Sequence, residues 1–303
     1  MSARRLTHEC GQAAVITVAF LTVLLGMTSL AVDVGSWFHD KRDLQAVTDA
    51  AALAGAQALP DDPAQARVLA VDYGARNGVT IPAGAITFSS QVVANDTINV
   101  HLDRSAPGFF SRVAGIGSVD IGARASARTE AMSEAMYAAP IGVDLAHPLL
   151  SGSGCPCFGQ QTTLDLTKTG PGAFRLLNLD GSKGGTSPGT LASWMMNGLN
   201  AWMPLGWYSS DPGAKFNASQ MQDALNARIG SELLFPIYSG TRGQGANFQY
   251  NVVGWVGFHL TGFDARGSSG QLYGYFTRVI WHGIQDTSGG TPSFGARTVQ
   301  LVN

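Results

Sequence analysis

Gly185-Thr186-Ser187-Pro188-Gly189 spells G-x-S-x-G, the turn that presents a hydrolase serine. The residue after that serine must lend its backbone N–H to an oxyanion, and Pro188 has none. No clear strand leads into the turn, so hydrolysis is not expected there. Cys155-Pro156-Cys157 is the next candidate. Three uses stay open for it: unpaired or structural thiols, a disulfide of the kind an oxidising compartment favours, or two ligands of a metal site with His147 as the nearby third. The six histidines show no H-E-x-x-H or other metal spacing, and His259 and His282 sit on strand-like runs. Arg242 to Asn247 is a polar glycine loop, but a phosphate cradle needs a helix after it and a strand-like run follows. The sequence therefore predicts no catalytic, cofactor-binding or metal-binding residue, and no enzyme.

Composition narrows the classes further. Only 13% of the 303 residues are charged, against about 25% in an ordinary soluble domain. Nineteen Lys+Arg against 21 Asp+Glu leaves a net charge of −2, so no basic field marks a nucleic-acid binder. Three cysteines do not make a dense disulfide scaffold. The length suits two domains, or one domain and an anchor.

The anchor is Ala13 to Val32, an uncharged run closed by Asp33. As a helix its 20 or so residues span about 30 Å, the thickness of a bilayer core. A buried core helix seldom stays apolar on every face for so long. A signal peptide cut near Ser29-Leu30-Ala31 is the rival reading, but the run is longer than the usual 7–15-residue apolar core of such peptides. Cys10 precedes the run and so does not mark a lipoprotein. Arg4 and Arg5 on one flank balance Lys41 and Arg42 on the other. Orientation then rests on the large body that follows one early anchor: N-terminus in the cytoplasm, body outside it. From Val34 to Leu59 there is no proline, and Ala50 to Ala58 is alanine-rich. Val34, Phe38, Leu44, Val47, Ala51 and Leu53 recur at three- and four-residue steps, so the helix is expected to run on unbroken from about Gly11 to Leu59, about 70 Å.

Three stretches carry a resemblance to a known family. They are Glu9-Cys10-Gly11-Gln12-Ala13, then Leu30-Ala31-Val32-Asp33-Val34-Gly35, then Leu44 to Ala56 around Asp49. At these spacings the chain resembles the TadG-like family of the tight-adherence (Flp pilus) assembly system, closely over the first 60 residues or so and more loosely to about residue 130. Gly11, Gln12, Asp33, Gly35 and Asp49 are the motif positions. The resemblance implies a single-pass membrane protein with an extracytoplasmic body that helps build or anchor a thin adhesive pilus. Some relatives end in a von Willebrand A-type domain with a D-x-S-x-S cation site. Here Phe174 to Gly184 begins that pattern, but Gly184 stands where the last serine should be and Lys183 puts a positive charge beside it, so no metal is carried over. Pilins are cut after a glycine with a glutamate five residues on. After Gly11 that place holds Ile16, which argues for an associated protein and not the major pilin.

Downstream, Asp62-Pro63 opens a helix that Gly78 closes. Ile86, Phe88, Val92, Ile98, Val100 and Leu102 alternate in two strands about a turn at Asn95-Asp96. Phe109 to Ala114 reads as a short amphipathic helix, and Val119 to Arg128 alternates again. Composition then shifts: 27 of 38 glycines and 19 of 27 aromatics follow Pro140, which marks a turn-rich β domain. Its strands are expected at Gln249–Phe263 and Leu272–Trp281, joined by a polar loop from Asp264 to Gly270, with a closing strand at 298–302. Its helices are expected at Leu191–Trp202 and after a capping box at Asn217–Gln220, the latter burying Met221, Leu225 and Ile229. Trp194, Trp202 and Trp207 suit core packing, with a binding surface as the other reading.

The fold expected is α+β: residues 1–12 cytoplasmic, 13–32 transmembrane, 33–59 a helical extension, 60–136 a small α+β unit, and 137–303 a mainly β domain with two or three helices. The function expected is a non-enzymatic component of Flp/Tad pilus assembly or anchoring in the cytoplasmic membrane. Its partners would be the lipid bilayer and other pilus-assembly proteins, with self- or hetero-association through the N-terminal helix, and no nucleic acid or cofactor. The alternative is a membrane-tethered ligand-binding or adhesin protein.

Overall fold

The computed structural model describes residues 10–166, 175–211, 215–266 and 269–302. Arg4, Arg5, Glu9 and Phe174 lie outside the described residues. One unbroken helix, α1 (Cys10–Ala56), runs for 47 residues, as the absence of proline and the alanine-rich end require. It has two halves. From Gln12 to Gly26 every side chain is bare. In that stretch and just beyond, Thr17, Thr22, Thr28 and Ser29 fold their hydroxyls back to donate to the carbonyls four residues earlier, so polar atoms are paired within the helix. The second half buries Asp33, Leu44, Thr48, Ala51, Ala52 and Ala56 against the body. Phe38, expected on that face, is 64% exposed, because Asp33 and Thr48 take the inner line instead.

After a turn through Leu59-Pro60 comes α2 (Pro63–Arg76), where Asp62 Oδ1 accepts the Gln65 N–H at 2.8 Å. Gly78 stands past the C-cap at φ +75°, the left-handed position that ends a helix. The helices cross at Gly55, where a Cβ would lie 2.9 Å from the Ala66 carbonyl and 2.5 Å from Ile98 Cδ1. Three strands follow: β1 (Ile86–Ser89), β2 (Thr97–Pro107) and β3 (Ser118–Ala135). Ile98, Val100 and Leu102 on β2 and Ala123, Ala125 and Ala127 on β3 face α1 and α2. Small alanines on the long strand let α1 lie close to it. Val92, expected in the first strand, sits in the intervening bend.

The remainder comprises β4 (Val143–Asp144), α3 (Pro148–Ser151), β5 (Gln161–Asp165), α4 (Pro188–Asn197), β6 (Met203–Pro204), β7 (Gly206–Ser209), α5 (Ser219–Arg228), β8 (Glu232–Arg242), β9 (Gln249–Arg266), β10 (Ser269–Thr277), β11 (Val279–Ile280), β12 (Gly283–Gln285) and β13 (Ala296–Val302). One sheet has the order β4-β8-β9-β10-β5, with β7 also on β9. Its core stacks Phe235 on Phe258 at 5.4 Å and sets Phe276 edge-on to Phe258 at 5.6 Å. Leu191 and Met195 from α4, with Met221 and Leu225 from α5, join the same core.

The other sheet has the order β1-β2-β3-β13-β11, with β12 and β6 on the far end of β3. The closing strand thus joins the sheet begun by residues 86–135, because β3 is long enough to serve both halves of the chain. Arg297 fastens that return: its Nη1 donates to the Leu59 carbonyl at 3.1 Å and to Asp61 Oδ2 at 2.7 Å. Several local expectations change. The helix expected over Leu191–Trp202 runs from Pro188 to Asn197, and the loop expected from Asp264 to Gly270 is strand through Arg266 and again from Ser269. The Leu272–Trp281 run breaks at Arg278, where β11 leaves to pair parallel with β13. The capping box does not form: Ala218 is the N-cap of α5, and the Asn217 carbonyl accepts from Gln222 Nε2. That helix stops at Arg228, so Ile229 is 45% exposed.

Candidate functional site: the junction of helix and body

Of the family-motif positions, Asp33 and Gly35 stand where α1 leaves its bare half, Gly11 and Gln12 lie at the start of the helix, and Asp49 lies about four turns further on. Asp33 is fully buried although the residues before it are exposed. The cover is the loop from Gly108 to Gly117, which joins β2 to β3. Asp33 Oδ1 accepts the Phe109 N–H at 3.1 Å, and Oδ2 accepts those of Phe110 at 3.0 Å and Ser111 at 2.5 Å. These amides are free to point at it because the 3-10 turn Ser111–Ala114 begins there, and the first N–H groups of a helical turn have no partner of their own. The loop is then closed by Gly108 N–H on the Gly117 carbonyl and Ile116 N–H on the Ser111 carbonyl, both 3.0 Å. Phe109 and Phe110, expected in an amphipathic helix, are 64% and 50% exposed, and Val113 is 95% exposed.

Further along α1 the contacts are polar and regularly spaced. Trp37 Nε1 donates to the Pro107 carbonyl at 3.1 Å. Arg104 pairs with Asp40 at 3.4 Å. Gln45 matches the backbone of β3: its Nε2 donates to the Arg124 carbonyl at 2.8 Å and its Oε1 accepts the Arg124 N–H at 3.4 Å. Asp49 holds that amide in place, accepting from Gln45 Nε2 at 2.7 Å. Gly35 has open space around it and Gln12 is exposed, so neither is explained by packing within this chain. Gly11 lies in the first turn of α1.

The remaining candidates sit apart from this junction. Cys155 and Cys157 are joined by a disulfide with a Cα–Cα distance of 4.5 Å. His147 caps α3, its Nδ1 accepting the Leu149 N–H at 3.1 Å, and burial pushes its pKa down. Ser187 is the N-cap of α4, its Oγ accepting the Thr190 N–H at 3.0 Å. Asp180 closes a local turn onto the Ser182 N–H at 2.8 Å. His259 pairs with Glu232 at 3.0 Å, and His282 stacks on Trp202 with centroids 5.3 Å apart. Among the described residues, no three histidine, cysteine or acidic side chains converge as a metal site. Trp194 is buried, whereas Trp202 and Trp207 are 44% and 40% exposed, the latter under Arg242 at 4.1 Å.

The sequence places Phe109, Phe110 and Val113 on a short helix without marking them as an exposed apolar patch. The available signal was a pair of aromatics beside glycine in a segment too short to have a protected face.

Residues 11–58 match the Tad family model, Flp pilus-assembly TadE/G-like, which bears out the resemblance at the N-terminus. That match takes in nearly all of α1, from the bare half through Asp33 to the contact with α2. The helix α1 is long and apolar enough to cross a membrane, and its most apolar window is unburied. No curated protein and no solved structure matches the chain.

Proposed function

We propose that this protein is a single-pass component of the cytoplasmic membrane that assembles or anchors a Flp/Tad-type pilus. Its N-terminus faces the cytoplasm and its body stands outside. One observation carries the reading: the Tad-matching segment is a single helix whose first half is bare and apolar and whose second half is built into the body. Such a helix transmits the position of the membrane rigidly to the head, as an assembly scaffold requires. Other Tad proteins and the lipid bilayer are its partners, and the open surface at Gly35 is available to a neighbouring helix.

The test is genetic and topological. Cells lacking the chain should lose surface fibres and tight adherence, and the full chain should restore both. A form released by cleavage after residue 32 should not. Protease added to intact spheroplasts should digest the body. Normal fibres in the deletion strain would overturn the assembly role, and a protected body would overturn the orientation. Exposed Trp202 and Trp207 favour one second reading, a tethered adhesin, in which fibres persist and only surface binding is lost.

A further inference from the structure

We propose that the loop Gly108–Gly117 is a second membrane contact, dipping Phe109, Phe110 and Val113 into the lipid beside α1. This rests on the reading that α1 spans the bilayer. Placement comes first. Asp33 holds the loop by its backbone, and the loop folds back toward the bare half, so that Phe110, Val113 and Ile116 line one apolar groove with Leu25 and Leu30. Leu25 lies about 12 Å along the helix axis from Asp33. The loop therefore runs beside the last turns of the membrane stretch, at the level where acyl chains meet headgroups.

Exposure comes second. Val113 at 95% and Phe109 at 64% cover nothing in this chain, and a patch of that kind needs an occupant. The groove is continuous with the apolar helix surface, so whatever solvates Leu25 and Leu30 also solvates Val113. The third argument is the backbone. A loop can enter lipid only if its polar groups are paired. Seven of the ten N–H groups from Gly108 to Gly117, those of Gly108, Phe109, Phe110, Ser111, Val113, Gly115 and Ile116, are bonded within the chain. Charge is the fourth. Between Ser105 and Val119 the sole charged residue is Arg112, which is exposed and suited to a lipid phosphate. Trp37 at the base of the loop and bare Phe38 supply the aromatic girdle usual at that depth.

The test uses the full chain in phosphatidylcholine–phosphatidylglycerol liposomes, with Cys10→Ser removing the third cysteine. A single cysteine replaces Val113, Leu25 or Thr287 and carries an environment-sensitive fluorophore. Lipids with a nitroxide high on the acyl chain should quench the labels at 113 and 25 several-fold more than the label at 287, while aqueous iodide should do the reverse. Adding Asp33→Asn should lower lipid quenching at 113 and leave it unchanged at 25. Iodide quenching at 113 with lipid quenching kept at 25 overturns the loop contact alone. Shielding of 113 from both quenchers means a protein neighbour and also overturns it. Loss of lipid quenching at 25 overturns the transmembrane reading and this inference with it.

Discussion

Asp33 and Ser111 are 78 positions apart in sequence and meet in a 2.5 Å hydrogen bond from the Ser111 N–H to Asp33 Oδ2. The bond joins the end of the apolar stretch of α1 to a surface loop through a carboxylate that water does not reach. Three backbone amides bond Asp33, with the Ser111 side chain beside them, so the loop's geometry does most to satisfy the charge.

Replacing Asp33 by Asn tests that arrangement. An amide keeps one acceptor oxygen but turns a donor NH2 toward amides that are themselves donors. Hydrogen exchange at Phe109, Phe110 and Ser111 should quicken on the order of tenfold or more, because the loop opens locally without global unfolding. Exchange within α2 should not change. Unchanged exchange at the three loop amides would refute the capping role.

Gln45→Ala removes the side chain that matches both backbone groups of Arg124. Arg124 is exposed, so water takes over its N–H and C=O and no buried orphan results. The expected loss is about 1 kcal/mol of stability, read from thermal or denaturant unfolding in detergent. A loss above about 3 kcal/mol would mean that the amide does more than join helix to strand.

These contacts divide what the chain discloses from what it hides. The anchor, the continuous helix, the Asp62 cap and the alternating strands were legible because each depends on local periodicity or on one residue's own chemistry. The pairing of β13 with β3 was not, since alternation says that a strand has a partner but not which one. Asp33 was legible as a motif position and as the end of an apolar run. Its burial was hidden because a charge at that place ordinarily faces headgroups, and the covering loop lies far along the chain. Phe109 and Phe110 differ for a related reason: an amphipathic helix buries one face, whereas here both rings are exposed. The capping box failed by one residue, since α5 starts at Ser219 and leaves Asn217 outside it.

Gly274→Ala probes the aromatic core. A Cβ there would collide with the His259 carbonyl across the β9–β10 register shift and come within 2.7 Å of Phe258 Cε1. The ring could shift only by disturbing the Phe235 and Phe276 contacts, and the carbonyl belongs to the strand ladder. A cost of about 2 kcal/mol or more is expected, with a lower melting temperature and an unchanged far-UV spectrum. A neutral substitution would show that β9 and β10 separate there more easily than their packing implies.

Acid should loosen the contact between two loops near β3, and Asp286 should account for a measurable part of it. Its Oδ1 accepts the Ser288 hydroxyl at 2.5 Å, and its Oδ2 accepts the Thr291 N–H at 2.6 Å. Hydrogen bonds from Ser288 and then Thr291 hold its pKa down to about 2 from an ordinary 3.8. Across the contact, burial pushes Asp96 up, but the amides of Val92, Val93 and Gln91 and the Thr97 hydroxyl outweigh it and leave it low. A carboxylate depressed in the folded state contributes stability that is full above its unfolded pKa and is lost as pH falls through the folded one. For Asp286 that window runs from about pH 4 to about pH 2. Glu130 on β3 has the opposite sign, since burial raises it above its ordinary 4.5, so its effect falls at higher pH. Asp286→Asn should therefore cost roughly 1 kcal/mol at pH 7, toward the low end for charged hydrogen bonds because the group is only half-buried. The gap between wild type and variant should stay level down to about pH 4 and close by about pH 2. Melting curves at pH 7, 4, 3 and 2 measure it, and a gap that persists undiminished at pH 2 would show that the hydrogen bonds do not depend on the charge.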